Sequence, residues 1–382
     1  MTGIRSGASN PRGPGGAIPR GAGGAADADV ADHGPTGPGT GPRPAGPRVA
    51  DPGSRGPGRR PRRPARASRG RAGSPAGGPT RWGQRRGRVV EALWGYAFIA
   101  PVGLGLAVFY LWPVLQTAYL SFTEWGPFGG HTWTGAENYR RLVADPQVGQ
   151  AVLNTLTYTV LGLLGIPLAV VFAALLDRDG LRGKAVYRTL FFLPVVTMPV
   201  AVGMVWRWLY HGDYGLINHA LALVGIDGPN WIADPDTALY ALVVVGIWSS
   251  LGYNLIIFLA GMQAIPREYY EAAALDGAGP VRQFFRITIP LLSPTAFFVS
   301  VISVIGSLQL FDLVYVMAAS GNAARGNPAY PRLQTVVMLF YDRGFITNER
   351  GYAAAIAIML LLIIVALTAL QFRLQRRWVH YA

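Results

Sequence analysis

The chain has 382 residues, of which 51% are hydrophobic and only 14% charged, and its mean hydropathy is +0.28. Soluble domains carry roughly 25% charged residues, so the composition argues for a membrane protein. With no cysteine, the chain has no disulfide, no thiolate metal site and no cysteine nucleophile. The formal charge of +14 resembles a nucleic-acid signal until it is located: residues 1–88 alone carry a net of +13, and the remainder is almost neutral.

Residues 1–88 are built from Gly, Pro, Ala and Arg, with almost no large apolar side chains. Such a segment cannot bury enough apolar surface to offset the entropy of ordering, so a disordered basic tail is expected. It has no apolar run ending at a cleavage site, so it is not read as a secretory signal peptide. Arg59-Arg60-Pro61-Arg62-Arg63 has the charge to attract nucleic acid or anionic lipid. The plainer readings are a solvated extension that keeps the N-terminus inside, or a start codon assigned too far upstream. No nucleic-acid partner is expected.

Apolar stretches long enough to cross a bilayer follow, each needing about 20 residues of helix. A first transmembrane helix is expected over 92–122, and further spans near 151–176, 189–210, 237–264, 287–316 and 351–372. They must be helical, because backbone amides in hydrocarbon need partners within their own segment. Pro101, Pro113, Pro167, Pro194, Pro199 and Pro294 lie in or beside these spans and are expected to kink them. Any one stretch alone would pass for a buried core helix; six in succession would not.

Arg and Lys set the orientation, since positively charged loops stay in the cytoplasm. With the N-terminus inside, the cytoplasmic flanks hold Arg81, Arg85, Arg86, Arg88, Arg178, Arg182, Lys184, Arg188, Arg267, Arg282, Arg286, Arg373, Arg376 and Arg377. The outside holds only Arg140, Arg141, Arg207, Arg325, Arg332, Arg343 and Arg350. Both termini, including a short tail over 373–382, are therefore expected in the cytoplasm, and so is the connection over 265–290.

That connection reads Glu271-Ala272-Ala273-Ala274-Leu275-Asp276-Gly277-Ala278, followed by Phe284, Ile287, Pro290 and Pro294. Pro266 suits the first turn of a helix, Arg267 to Leu275 are good helix formers, and Gly277 suits a left-handed terminator. The three alanines give a slim side able to enter a groove in a partner. Pro280 opens a second short helix whose Val281, Phe284, Phe285 and Ile289 form an apolar face. Two such helices could be mere interfacial structure.

The eight-residue run resembles the E-A-A-x-x-D-G-A loop of ABC importer permeases. Further resemblance lies in Asn138-Tyr139-Arg140-Arg141-Leu142 with Asp145-Pro146, in Asn154-Thr155-Leu156, and in Phe191-Phe192-Leu193-Pro194 with Trp206. It continues in Gly215-Leu216-Ile217-Asn218, in Phe311-Asp312-Leu313-Val314-Tyr315-Val316 and in Gly351-Tyr352-Ala353-Ala354-Ala355. The likeness covers about residues 92–372 and points to the first permease of a maltose- or glycerol-3-phosphate-type carbohydrate system. Relatives usually carry a Gly-Gly-Pro-rich turn where this chain reads Gly321-Asn322-Ala323-Ala324-Arg325-Gly326-Asn327-Pro328, a departure that touches docking and substrate identity.

The resemblance implies an all-α polytopic membrane protein of six transmembrane helices, with the type I importer fold over 150–372, in the plasma membrane of a bacterium. Its implied partners are the lipid bilayer, a second permease subunit, an ABC ATPase dimer carrying ATP and Mg, and an extracytoplasmic solute-binding protein. Glu271, Ala272, Ala273, Asp276, Gly277 and Ala278 would couple this chain to the ATPase.

Polar side chains in a membrane are costly and often functional. Asn254, Tyr253, Gln309 and Asp312 are candidate solute-path residues, with Trp248 as a further sugar-stacking aromatic. Bonding between helices and capping of helix ends would equally account for the polar ones, Asp312 above all. The only lysine, Lys184, lies between Gly183 and Ala185, so no phosphate-binding G-x-x-x-x-G-K-[ST] loop exists. The five histidines form no H-E-x-x-H pattern, and no catalytic or metal site is read. The chain is therefore expected to be a transport subunit, with no cofactor of its own. A permease for another solute class and, less favoured, an ion-coupled secondary transporter remain as alternatives; the latter would want a mid-span carboxylate.

Overall fold

The computed structural model describes residues 81–126, 129–178, 180–318 and 326–378, all within the unit 77–382. The basic tail up to residue 80 and most of the 321–328 turn lie outside the described residues.

Helix α1 (Arg81–Leu106) passes through a π turn (Ala107–Leu111) into α2 (Trp112–Leu120). Residues 81–88, expected to be unstructured, are thus helical, as their Arg and Gln content permits. From Glu91 to Leu120 the helix is apolar on every side, and nothing in its most apolar stretch is buried within the chain. A helix of this kind is stable only in hydrocarbon or against another subunit. A two-stranded antiparallel hairpin follows, β1 (Thr123–Trp125) on β2 (His131–Trp133), a departure from the all-α expectation. Next come α3 (Glu137–Ala144), α4 (Pro146–Gly162) and α5 (Gly165–Asp177), the last two reading as one span over Pro146–Asp177.

The span expected near 189–210 is two helices, α6 (Lys184–Val196) and α7 (Pro199–Leu209), meeting at 101°. Pro199 removes the helical conformation from the residue before it, and Met198 and Thr197 are extended. Helix α8 (Leu216–Ala222) precedes α9 (Ala238–Gln263), the most buried of the long helices. Then come α10 (Arg267–Leu275), α11 (Pro280–Gln283), a π turn (Phe284–Thr288), α12 (Ile289–Leu291) and α13 (Ser293–Leu308). The fifth span, expected over 287–316 with a kink at Pro294, bends by 64° between Leu291 and Ser293, and its long helix stops at Leu308. Pro290 and Pro294 remove amide donors on both sides of that bend. Helices α14 (Asp312–Met317), α15 (Tyr330–Leu333) and α16 (Val336–Tyr341) are short, and α17 (Arg350–Trp378) closes the chain, extending helix into the expected C-terminal tail. Among the described residues, four helices are long and apolar enough to cross a membrane, and up to six if each bent pair counts as one.

Three apolar clusters hold these elements together. One joins the first half of α9 (Leu242, Val245) to Val202 of α7 and to Val314 and Met317 of α14. A second joins the other half (Leu255, Phe258, Met262) to Ala169 and Ala173 of α5 and to Leu292 and Val299. A third packs Leu142 and Ala151 against Leu339, Tyr352 and Ile356. Small residues permit the closest approaches: a Cβ on Gly252 of α9 would land on the carbonyl oxygen of Phe191 in α6.

A polar cluster ties the start of α4 to the start of α17. Asp145 caps α4 by accepting from the Gln147 amide at 2.9 Å, and the Tyr352 hydroxyl donates to the same carboxylate at 2.9 Å. Arg343 donates to Gln147 Oε1 at 2.7 Å and pairs with Asp145 at 3.4 Å and Glu349 at 3.3 Å. Arg141 pairs with Glu349 and lies 4.1 Å above the Tyr352 ring.

Candidate functional site

The 265–290 connection leaves α9 through a turn in which the Ile265 amide donates to Met262 O at 3.1 Å. Pro266 is the N-cap of α10, one residue before the first turn where it was expected. Its ring holds φ at −60°, and ψ of 133° swings the chain into the new helix.

Helix α10 ends in two reciprocal backbone bonds. The Ala278 amide donates to Ala273 O at 2.9 Å and the Gly277 amide to Ala274 O at 3.0 Å. This Schellman arrangement requires a left-handed residue between them, and Gly277 has φ +77°. Glu271, Ala272, Asp276 and Gly277 are exposed, whereas Ala273 and Ala278 are half-buried. The slim alanine side therefore faces outward in part, beside an acidic residue at each end of the run.

Three side chains that the sequence did not single out fix this helix to the following one. The Tyr270 and Thr288 hydroxyls share a hydrogen bond at 2.9 Å, and Gln283 donates to Ala278 O at 2.9 Å and Tyr270 O at 3.5 Å. The apolar face proposed for the second helix is divided: Phe284 packs into the α5–α9 cluster while Val281 and Phe285 stay exposed.

Between α10, the π turn and the ends of α5, α6 and α9 lies an open cavity of about 1180 Å³. Tyr270, Glu271, Gln283 and Phe284 line it together with Arg178, Lys184 and Arg188.

The four candidate solute-path residues are placed differently from one another. Asn254 is buried in α9, while its neighbour Tyr253 is exposed on another face of the same helix. Gln309 is the exposed C-cap of α13, and Asp312 is exposed in the first turn of α14. Trp248 packs edge-on against Trp206 with ring centroids 5.5 Å apart. Among the described residues, no group of three or more His, Asp or Glu is placed to hold a metal ion.

Several stretches that carried the family resemblance have structural work. Asn218 donates to Gly212 O, Gly228 O and Pro229 O within 3.0 Å and accepts from Trp231 Nε1 at 2.7 Å. Asn154 donates to Pro331 O at 2.8 Å and Gln334 O at 3.0 Å, and Thr155 Oγ1 accepts from the Val336 amide at 3.0 Å. Asn138 donates to Ser121 O and Thr123 O, both at 2.9 Å.

Comparison with known proteins agrees with this architecture. The family described as binding-protein-dependent transport system inner membrane component matches residues 165–380. The chain is 37% identical over 297 residues to the probable ABC transporter permease protein YesP of Bacillus subtilis, covering 76% of this chain and 93% of that one. It is 33% identical over 288 residues to the sn-glycerol-3-phosphate transport system permease protein UgpA of Pectobacterium atrosepticum, covering 75% and 95%. Among solved structures, a chain of a bacterial ABC transporter involved in the import of the acidic polysaccharide alginate superposes with a TM-score of 0.67 at 22% identity, covering 77% of this chain and 99% of that one. The chain belongs to the family of binding-protein-dependent transport system inner membrane components, the permeases of ABC transporters. It is a transport component with apolar helices for the inner membrane.

Proposed function

We propose that the chain is a six-span permease subunit that, with a second permease, forms the path for a sugar or sugar-like solute into a bacterial cell. Each bent pair then counts as one span, and both termini lie in the cytoplasm. A separate ATPase dimer binds ATP and Mg, and an external binding protein delivers the solute. The Glu271–Gly277 run of α10 is the part that meets the ATPase. The observation that carries this reading is the form of α10: a short helix, exposed at Glu271, Ala272, Asp276 and Gly277, ended by a Schellman turn and braced by Tyr270 and Gln283. A push on such a helix passes into the π turn and α13 instead of being absorbed by a loose loop. Support for a sugar-type solute comes from relatives named for sn-glycerol-3-phosphate and from the alginate importer that shares the fold.

Mechanically, closure of the ATPase pair moves α10 and, through Tyr270–Thr288, the bent fifth span. The equilibrium between inward- and outward-open states shifts only as far as the ATPase binds one state better than the other. Glu271→Lys and Gly277→Pro should each abolish ATP-driven uptake while the protein stays in the membrane. Proline at 277 cannot adopt the positive φ and removes the amide bonded to Ala274. Uptake at the wild-type rate by both variants would refute the coupling role.

A further inference from the structure

The cavity behind α10 combines two features that a water-soluble ligand does not need together. Part of its lining is cationic: Arg178, Lys184 and Arg188 line it, and among the described residues none of the three forms an ion pair. Lys184 makes only a long bond, 3.4 Å, to the backbone oxygen of Asp177. Apolar residues share the lining: Val171, Leu175, Val281 and Phe285 all line the cavity and all are exposed. Among the described residues, Asp177 and Glu271 are the acidic groups that line it, and Arg267 is a fourth cation. At about 1180 Å³ the space exceeds the roughly 300–1,000 Å³ of ordinary small-molecule pockets.

We infer that this cavity is a binding site for an anionic phospholipid, whose phosphate lies against Arg178, Lys184 and Arg188 and whose acyl chains run along Val171, Leu175 and Phe285. The site stands at the ends of α5, α6 and α9, where a membrane span meets water, and basic pockets between spans at that level attract anionic headgroups. Among the described lining residues the cations outnumber the acidic groups, and the exposed Val281 and Phe285 set apolar surface beside them. A lipid satisfies both the cationic and the apolar lining, whereas a free phosphate satisfies only the first. Bound there, the lipid would touch the α5–α6 turn and α10 together, so the leaflet's composition would bear on the stiffness of the coupling helix. The inference rests on the membrane placement proposed above, but not on ATPase coupling.

The test uses the full-length chain purified in mild detergent with whatever subunits accompany it, equilibrated with vesicles of phosphatidylcholine and phosphatidylglycerol. Native mass spectrometry then counts the lipid retained. Phosphatidylglycerol should be retained in preference to phosphatidylcholine. Combined Arg178→Gln, Lys184→Gln and Arg188→Gln should lower that retention by about tenfold or more. Asp177→Asn, which removes a negative charge from the cavity without disturbing an ion pair, should raise it, and so covers the case in which the triple variant misassembles. Arg373→Gln with Arg376→Gln, cations outside the cavity, should leave it unchanged. Equal retention by the triple variant, or equal loss on changing Arg373 and Arg376, overturns the site. Displacement of the lipid by inorganic phosphate at matching concentration also overturns it, in favour of a free-anion site. Since no ATP or solute is present, the outcome is independent of whether Glu271 couples to an ATPase.

Discussion

Arg343 illustrates how one side chain can join parts of the chain that lie far apart in sequence. It reaches Asp145 and Gln147 at the start of α4 and Glu349 just before α17, with only 19% of its side chain exposed. Removing one partner of a largely buried charged group leaves the others desolvated without compensation. Arg343→Gln should therefore cost about 2–3 kcal/mol, read as a lower midpoint of thermal unfolding of the detergent-solubilised protein. Arg140→Gln is the control, because its pair with Glu137 is mostly exposed and should contribute about 0.5 kcal/mol or less. Little of this cluster was legible in the sequence. Asp145-Pro146 and Gly351-Tyr352 stood out as separate family-like stretches, but no periodicity relates positions about two hundred residues apart. Asn218, Asn154 and Asn138 were legible only as parts of such stretches; the backbone oxygens they serve are fixed by tertiary folding.

At the scale of elements, the sequence located helices better than it located bends. Length and hydropathy suffice to mark an apolar interval, and those around 92–122, 151–176, 237–264 and 351–372 hold the four long helices. The angle at a proline depends on what fills the space beside the freed carbonyls, which is why a 101° corner at Thr197–Met198 was read as a kinked span. The end of α10 was legible because the left-handed residue of a Schellman turn is most readily a glycine, and Gly277 stood where one was needed. Its brace was not legible: Tyr270 and Gln283 look like solvated polar residues until α10 and α11 are folded together. The brace supplies the element-scale prediction. Tyr270→Phe deletes the bond to Thr288, worth about 1 kcal/mol. It should raise ATP hydrolysed per solute imported, by about fivefold at most, with the amount of assembled complex unchanged. Tyr269→Phe, on an exposed neighbour, should leave the ratio as it is. An unchanged ratio in the Tyr270 variant would show that the hydrogen bond plays no part in transmission.

For the molecule as a whole, the fold separates holding from moving. The three apolar clusters and the Asp145–Arg343 network tie α3–α5, α7, α9 and α13–α17 into one body. From Glu91 onward α1 has no buried residue, and α10 is an exposed helix leading into the bent fifth span. A permease needs that division, since a push at one face must move spans without unpacking them. The central claim is that α10 lies in the cytoplasm and touches an ATPase. The absence of cysteine makes it directly testable, because a single introduced thiol is unique in the chain. An Ala272→Cys variant with a C-terminal tag would be treated in membranes with a short bifunctional maleimide, purified and identified by mass spectrometry. A Gly130→Cys variant, in the β1–β2 hairpin that the proposed orientation puts outside the cell, serves as the control. The account predicts a crosslink from position 272 to a P-loop ATPase and none from position 130. Crosslinking of the ATPase at position 130, or none at 272 in membranes where the ATPase co-purifies, would contradict it.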